Sequence, residues 1–139
     1  MDWPLIEQKL ESLRRSILRV KEKCPANAAA FGNDLDAQDI LALNLTRAVQ
    51  MCVDIGTHII AGSEFPPPAT MGKTFDILCE AGIISADLAD RMKKAVGFRN
   101  IAVHNYETIN WVIVFAIATA HLQDFEEFAS AVARLADTQ

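Results

Sequence analysis

Residues 37–61 read AQDILALNLTRAVQMCVDIGTHIIA. Leu41, Leu45, Ala48, Cys52, Ile55 and Ile59 fall at alternating intervals of four and three, which lays one apolar stripe along a helix. The same cadence runs through Ile6, Leu10, Leu13, Ile17, Val20 and Cys24 and predicts a helix over residues 4–23. Pro4 suits a first helical turn, and Pro25 stops the helix just after Cys24. Residues 25–36, PANAAAFGNDLD, read as a loop ending in capping residues. Two long striped helices, with no alternating β-branched or aromatic runs, predict an all-α bundle.

The rest of the chain continues in that manner. Gly62 and Pro66–Pro67–Pro68 end the second helix and impose a stiff, extended linker. A short helix over Met71–Glu80 follows, with Gly82 as its stop and Ser85 as the cap of the next. That fourth helix runs to about His104, with Asp87 and Asp90 in its first turn, where negative charge suits the helix dipole. After a break at residues 105–107, Thr108 reads as the cap of a last helix over residues 109–136. Its first ten residues are apolar nearly all round, and it turns amphipathic through Leu122, Phe125, Phe128, Val132 and Leu135. A helix apolar on every side has to be covered on every side, so a dimeric bundle of four to five helices is expected, one domain spanning residues 1–139.

Composition narrows the function classes. Of 139 residues, 51% are apolar and 22% charged, which excludes disorder. A net charge of −5 means that the whole molecule is no electrostatic trap for nucleic acid, so any such contact must be local. Two basic groups stand out, Arg14, Arg15, Arg19, Lys21 and Lys23, then Arg91, Lys93, Lys94 and Arg99; solvated helix faces are the ordinary reading of both. The three cysteines are far apart and without a CxxC, which predicts reduced thiols in a cytoplasmic protein, with Cys79 in the core. MDWPLIEQKLESLRRS has no basic region leading into an apolar one, so no signal peptide is expected. The longest apolar run, Trp111–Ala120, is half the length of about 20 residues that a membrane span needs. Cys52, Asp54 and His58 are too few and too mixed for a metal site, and none is expected. Asp54, inside an apolar stripe, needs a partner: a structural hydrogen bond, or a place behind Arg99. Arg47 reads as exposed or paired, and His121 as packing or interface.

One polar cluster is out of proportion to its surroundings: residues 99–106, RNIAVHNY, at the end of a helix and on the following turn. It holds the only tyrosine and one of three histidines. Asn100 and His104, four apart, share a helix face, while Arg99 and His104 lie about 140° apart around the axis. Arg is a permanent bidentate partner for phosphate, and His gives and takes a proton near neutral pH. Phosphodiester cleavage needs a cation for developing charge and a general acid or base, and the octet supplies both. A helix C-terminus satisfied by Arg and His is the plain structural alternative.

Arg-x4-His followed by x-Tyr resembles the signature of the HEPN superfamily, and the surrounding chain is similar to its HepT subfamily, the toxins of type VII-like HEPN–MNT toxin–antitoxin pairs. RAVQMCVDIGTHII, the Pro-bearing linker, FDILCEAGII and YETINWVIVFAI stand in that family's order from about residue 37 onward, and the helix over 4–23 fits its N-terminal partner. The resemblance implies a metal-independent endoribonuclease without a cofactor, acting as a homodimer with two motifs meeting at a cleft. Arg99 would neutralise the scissile phosphate, and His104 would act as base on the 2′-hydroxyl or acid on the 5′-oxygen. Asn100 would orient them, with Asn105 in support. Doubling Arg91, Lys93 and Lys94 at one cleft would let an acidic protein meet RNA. It further implies silencing by a cognate MNT nucleotidyltransferase antitoxin that transfers AMP from ATP to the motif's tyrosine, which here is Tyr106. The alternatives are a non-catalytic HEPN module that binds nucleotide or positions a substrate for a nucleotidyltransferase, and a purely structural helical dimer.

Overall fold

A computed structural model describes residues 1–138 of the chain as seven α-helices and one 3-10 turn. The first striped segment forms α1 (Trp3–Lys23), whose N-terminus is capped by Asp2 accepting from the Leu5 amide at 3.1 Å. The second long stripe forms a helix over Leu35–Ala61, capped by Asp34 accepting from the Ala37 amide at 3.0 Å. The two run antiparallel, since Asp2 meets His58 and Lys9 meets Asp54. Their stripes face each other: Ile6, Leu13, Val20, Leu41, Leu45, Cys52 and Ile55 are essentially inaccessible to solvent. Each such aliphatic side chain contributes about 1.5–3 kcal/mol relative to remaining exposed, so this pair of stripes is the spine of the fold.

Between these two helices, where a loop is expected, the chain forms a short α2 (Ala28–Gly32), capped by Asn27 accepting from the Ala30 amide at 2.8 Å. The long helix is therefore α3, and it begins two residues earlier than its stripe suggests. Burial of a single residue makes α2 worthwhile: Phe31 stands edge-on to Trp111, ring centroids 5.9 Å apart, and lies 5.8 Å from Phe115. That tertiary anchor outweighs the weak helical signal of five residues.

The next two helices stand where their caps predict, α4 (Met71–Glu80) and α5 (Ala86–His104). Gly82, at φ +77°, takes the left-handed conformation that closes α4, with its own amide bonded to Cys79 and the Ile83 amide to Leu78. Ser85 Oγ accepts from the Leu88 amide at 3.1 Å and opens α5. α4 lies close on α3 over Gly56, where a β-carbon would sit 2.6 Å from Thr74 Cγ2.

The last segment departs from the single helix expected. Thr108 belongs to the 3-10 turn Tyr106–Thr108, its hydroxyl bonding back to the Asn105 carbonyl at 2.9 Å. Asn110 is the cap instead, its side chain accepting from the Val112 amide at 3.0 Å. The helix then breaks at His121 into α6 (Trp111–Ala120) and α7 (Leu122–Asp137). The break has a packing cause. α7 carries a clear apolar face and turns Leu122, Phe125, Phe128 and Val132 onto the core, whereas α6 has no polar side to orient it. Only Val114 and Ala118 of α6 are buried, and Val112 and Ile113 remain 73% and 52% exposed. No helix among the described residues is long and apolar enough to cross a membrane.

Candidate functional site

α5 stays helical through His104, so Arg99, Asn100 and His104 stand on its last two turns, while Asn105 and Tyr106 lie beyond its end. Arg99 is half-buried and its Nη1 donates to Asn100 Oδ1 at 3.2 Å. Its Nε–H is buried and has no acceptor among the described residues, a state it shares with the Nε–H of Arg91. His104 is exposed and makes no side-chain hydrogen bond among the described residues. Arg99 and His104 do not bond to each other, and their spacing on an intact helix keeps them on different sides of it. Asn105 ends α5: its amide bonds to the Ile101 carbonyl at 2.8 Å, and its carbonyl accepts from Thr108. Its observed role is thus the turn.

Tyr106 opens the 3-10 turn with 39% of its surface exposed. Its ring stands edge-on to Trp111 at 5.8 Å, and Trp111 in turn packs on Phe31. Its hydroxyl donates to Asp39 Oδ1, on α3, 67 residues away in the chain. Partial burial, and then this carboxylate, push the phenol up to about 12. Asp39 is the one residue of the site that the sequence reading passes over. It sits on the polar side of a striped helix, and only the packing of the turn against α3 brings it to Tyr106.

Exposed apolar side chains stand on both α5 and α6: Ile101 and Val103, within the octet, are 46% and 49% exposed, and Val112 and Ile113 are 73% and 52% exposed. Between α5, α6 and α7 lies an open, mainly apolar cavity of about 540 Å³, bordered by Lys94, Ile101, Ile109, Ile113, Ile117 and His121.

Several expected residues have other work. Arg91 is engaged by acids: Asp124 and Glu127 (3.1 Å) tie it to α7, and Asp87 (3.2 Å) flanks it on α5. Two of these partners lie more than 30 positions away, out of reach of a reading along one helix. Lys93 is committed to Asp76 of α4 at 3.1 Å. Lys94 is exposed and forms no ion pair among the described residues. Asp54 finds its partners in Lys9 (3.3 Å) and Gln50 (2.8 Å), a structural clamp between α1 and α3, and does not stand behind Arg99. His58 Nε2 accepts from the Asp2 amide at 3.2 Å, and burial pushes the Cys52 thiol up. The first basic group is likewise offset by acids, Arg14 and Arg15 by Glu11, Arg19 by Glu22, and Lys21 by Glu126. Arg47 is exposed, Cys79 is partly buried at the edge of the core, and His121 lies exposed at the α6–α7 break, 3.5 Å from Asp124.

Residues 13–132 match the ribonuclease HepT-like family. The chain belongs to that family. It is 34% identical over 128 residues to the mRNA nuclease HepT of Shewanella oneidensis, covering 92% of this chain and 96% of that one. Its fold superposes on a crystal structure of a toxin–antitoxin with AMP-PNP at a TM-score of 0.89 and 33% identity, covering 94% of this chain and 98% of that one. It superposes also on the tri-AMPylated Shewanella oneidensis HEPN toxin in complex with MNT antitoxin, at a TM-score of 0.87 and 34% identity, over 93% and 96% of the two chains. The all-α HEPN architecture and the ribonuclease class are therefore established for this HepT-like chain.

Proposed function

We propose that two copies of this single-domain chain form a cytoplasmic toxin that cleaves RNA at a shared cleft, with Arg99 and His104 of each copy doing the work. The observation that carries this reading is the presentation of the octet. An arginine whose guanidinium bonds only its neighbour Asn100 and an imidazole with no side-chain hydrogen bond among the described residues stand on the last two turns of α5, and Ile101, Val103, Val112 and Ile113 of α5 and α6 are exposed. One copy alone leaves those apolar side chains in water and Arg99 and His104 unconnected. A second copy laid on this face would cover them and supply a second arginine and imidazole to the same phosphate.

Doubling would give the two histidines separate roles. One His104 takes the proton from the 2′-hydroxyl as that oxygen attacks phosphorus; the other gives a proton to the departing 5′-oxygen. Arg99, held by Asn100, stabilises the charge that grows on the non-bridging oxygens. Lys94 is the basic side chain of its group left to guide the RNA strand toward the cleft. No step calls for a metal ion. Attack by the 2′-hydroxyl confines the reaction to RNA.

We further propose that a cognate nucleotidyltransferase antitoxin silences the toxin by placing AMP on the hydroxyl of Tyr106. That residue lies two positions beyond His104 and keeps 39% of its surface open to solvent. The adduct adds bulk and phosphate charge beside the anion site, competing with substrate for Arg99.

The dimer is tested by placing charge on its proposed face. Ile113→Glu replaces an exposed apolar side chain of α6 without changing the octet. The variant is expected to sediment as a folded monomer and to lose RNA cleavage by at least about tenfold. An Ile113→Glu chain that is monomeric yet cleaves at the wild-type rate contradicts the shared cleft.

A further inference from the structure

We propose that Asp39 is the base of the modification reaction, taking the proton from the Tyr106 hydroxyl as that oxygen is adenylylated. The proposal rests on the reading of Tyr106 as AMP acceptor and adds a second residue of this chain to that chemistry. A tyrosine hydroxyl is a weak nucleophile while it keeps its proton, and here partial burial makes free tyrosinate scarcer still at neutral pH. The geometry answers that difficulty. Asp39 Oδ1 already accepts the hydroxyl hydrogen, so donor and base are in place before any nucleotide arrives. The edge contact with Trp111 holds the phenol ring in that orientation, and Phe31 backs Trp111 from the core.

No other charged side chain bonds the hydroxyl among the described residues. Glu107 and His104, its neighbours along the chain, make no bond to it, and α6 offers the uncharged Trp111. Asp39 itself forms no ion pair among the described residues, so its carboxylate is not already spent on a cation, unlike Asp54, Asp76 and Asp124.

The step balances with ATP as co-reactant. Tyr106 Oη forms a bond to the α-phosphorus, the bond from that phosphorus to the bridging oxygen of pyrophosphate breaks, and pyrophosphate leaves with the electron pair. The hydroxyl proton passes to Asp39 and from there to solvent. The product oxygen has no hydrogen left to donate, and an anionic phosphodiester now faces an anionic carboxylate. The bond between α3 and the turn is thereby lost, and repulsion turns the adenylyl group away from Asp39. One carboxylate would thus promote the transfer and then release the product from its own side of the turn.

The test is a time course of AMP addition, read by intact mass, with the cognate nucleotidyltransferase and magnesium ATP, between pH 6.5 and 9. Wild type, Asp39→Asn, Asp39→Glu and Tyr106→Phe chains are compared. Asn keeps the size of the side chain but cannot take a proton. At pH 7, Asp39→Asn is expected to be modified about 10²-fold more slowly than wild type, the usual cost of losing a general base. That ratio is expected to shrink by about tenfold per pH unit, because only the variant depends on tyrosinate formed by bulk solvent. Asp39→Glu is expected to recover part of the rate. Modification of Asp39→Asn at the wild-type rate overturns the proposal. So does a slower rate with an unchanged pH profile, which marks a merely structural contact. Equal mass gain by Tyr106→Phe instead overturns the underlying choice of acceptor, and so separates the two failures.

Discussion

Unmodified protein carrying His104→Ala is expected to cleave RNA about 10²- to 10⁴-fold more slowly than wild type, the range for losing a general acid–base group. Arg99→Ala is expected to cost about 10²- to 10³-fold, as removal of a preorganised group that stabilises developing charge does. Neither change should unfold the chain. His104 is exposed on the last turn of α5 and carries no side-chain hydrogen bond among the described residues, and Arg99 holds only its neighbour Asn100. The check is a cleavage time course on purified protein, with a thermal melt run beside it. In cells the same variants should abolish growth arrest. An Arg99→Lys chain separates charge from geometry: lysine keeps the cation but loses the planar fork, so a large part of the defect should remain. Full activity of either alanine variant would move the chemistry away from the octet.

Tyr106→Phe is expected to abolish silencing while sparing the nuclease. Phenylalanine keeps the ring that stands on Trp111 and removes the oxygen that would carry AMP. Mixed with the antitoxin and ATP, wild-type protein should gain the mass of one or more AMP groups and stop cutting RNA. The variant should gain none and cut at its starting rate. Loss of the Asp39 hydrogen bond in this variant should have a small effect on stability, about 1 kcal/mol, because the pair lies at the surface. Retained protection by the antitoxin would mean that silencing works by occlusion alone.

The sequence alone makes much of this architecture legible, for identifiable reasons. The helices α1, α3, α4 and α5 stand within two residues of where the apolar stripes and the Pro, Gly and Ser signals place them, because burial and local capping pull in the same direction. The departures occur where tertiary contacts decide. α2 exists for Phe31, whose partners Trp111 and Phe115 are about 80 residues downstream. At His121 the chain breaks between α6, which buries only Val114 and Ala118, and α7, which turns a full apolar face onto the core.

The same division holds at the site. Arg99, His104 and Tyr106 stand out along the chain, since a single tyrosine and a histidine crowd behind one arginine. Charge pairing across helices is invisible at that level. Arg91 looks like a free cation in sequence, yet Asp124 and Glu127 of α7 have claimed it. Asp39 looks like an ordinary polar position on α3, yet it holds the Tyr106 hydroxyl.

Cleavage by attack of the 2′-hydroxyl is the central requirement of the proposed mechanism. Unmodified wild-type protein should be given one RNA and its twin carrying a single 2′-deoxy sugar at the cut site, both in excess EDTA. Cleavage of the RNA with a 2′,3′-cyclic phosphate end, and none of the twin at that site, is the predicted result. Loss of cleavage in EDTA, a 3′-hydroxyl end, or equal cutting of the deoxy twin would contradict a metal-independent attack by the 2′-hydroxyl under the control of Arg99 and His104.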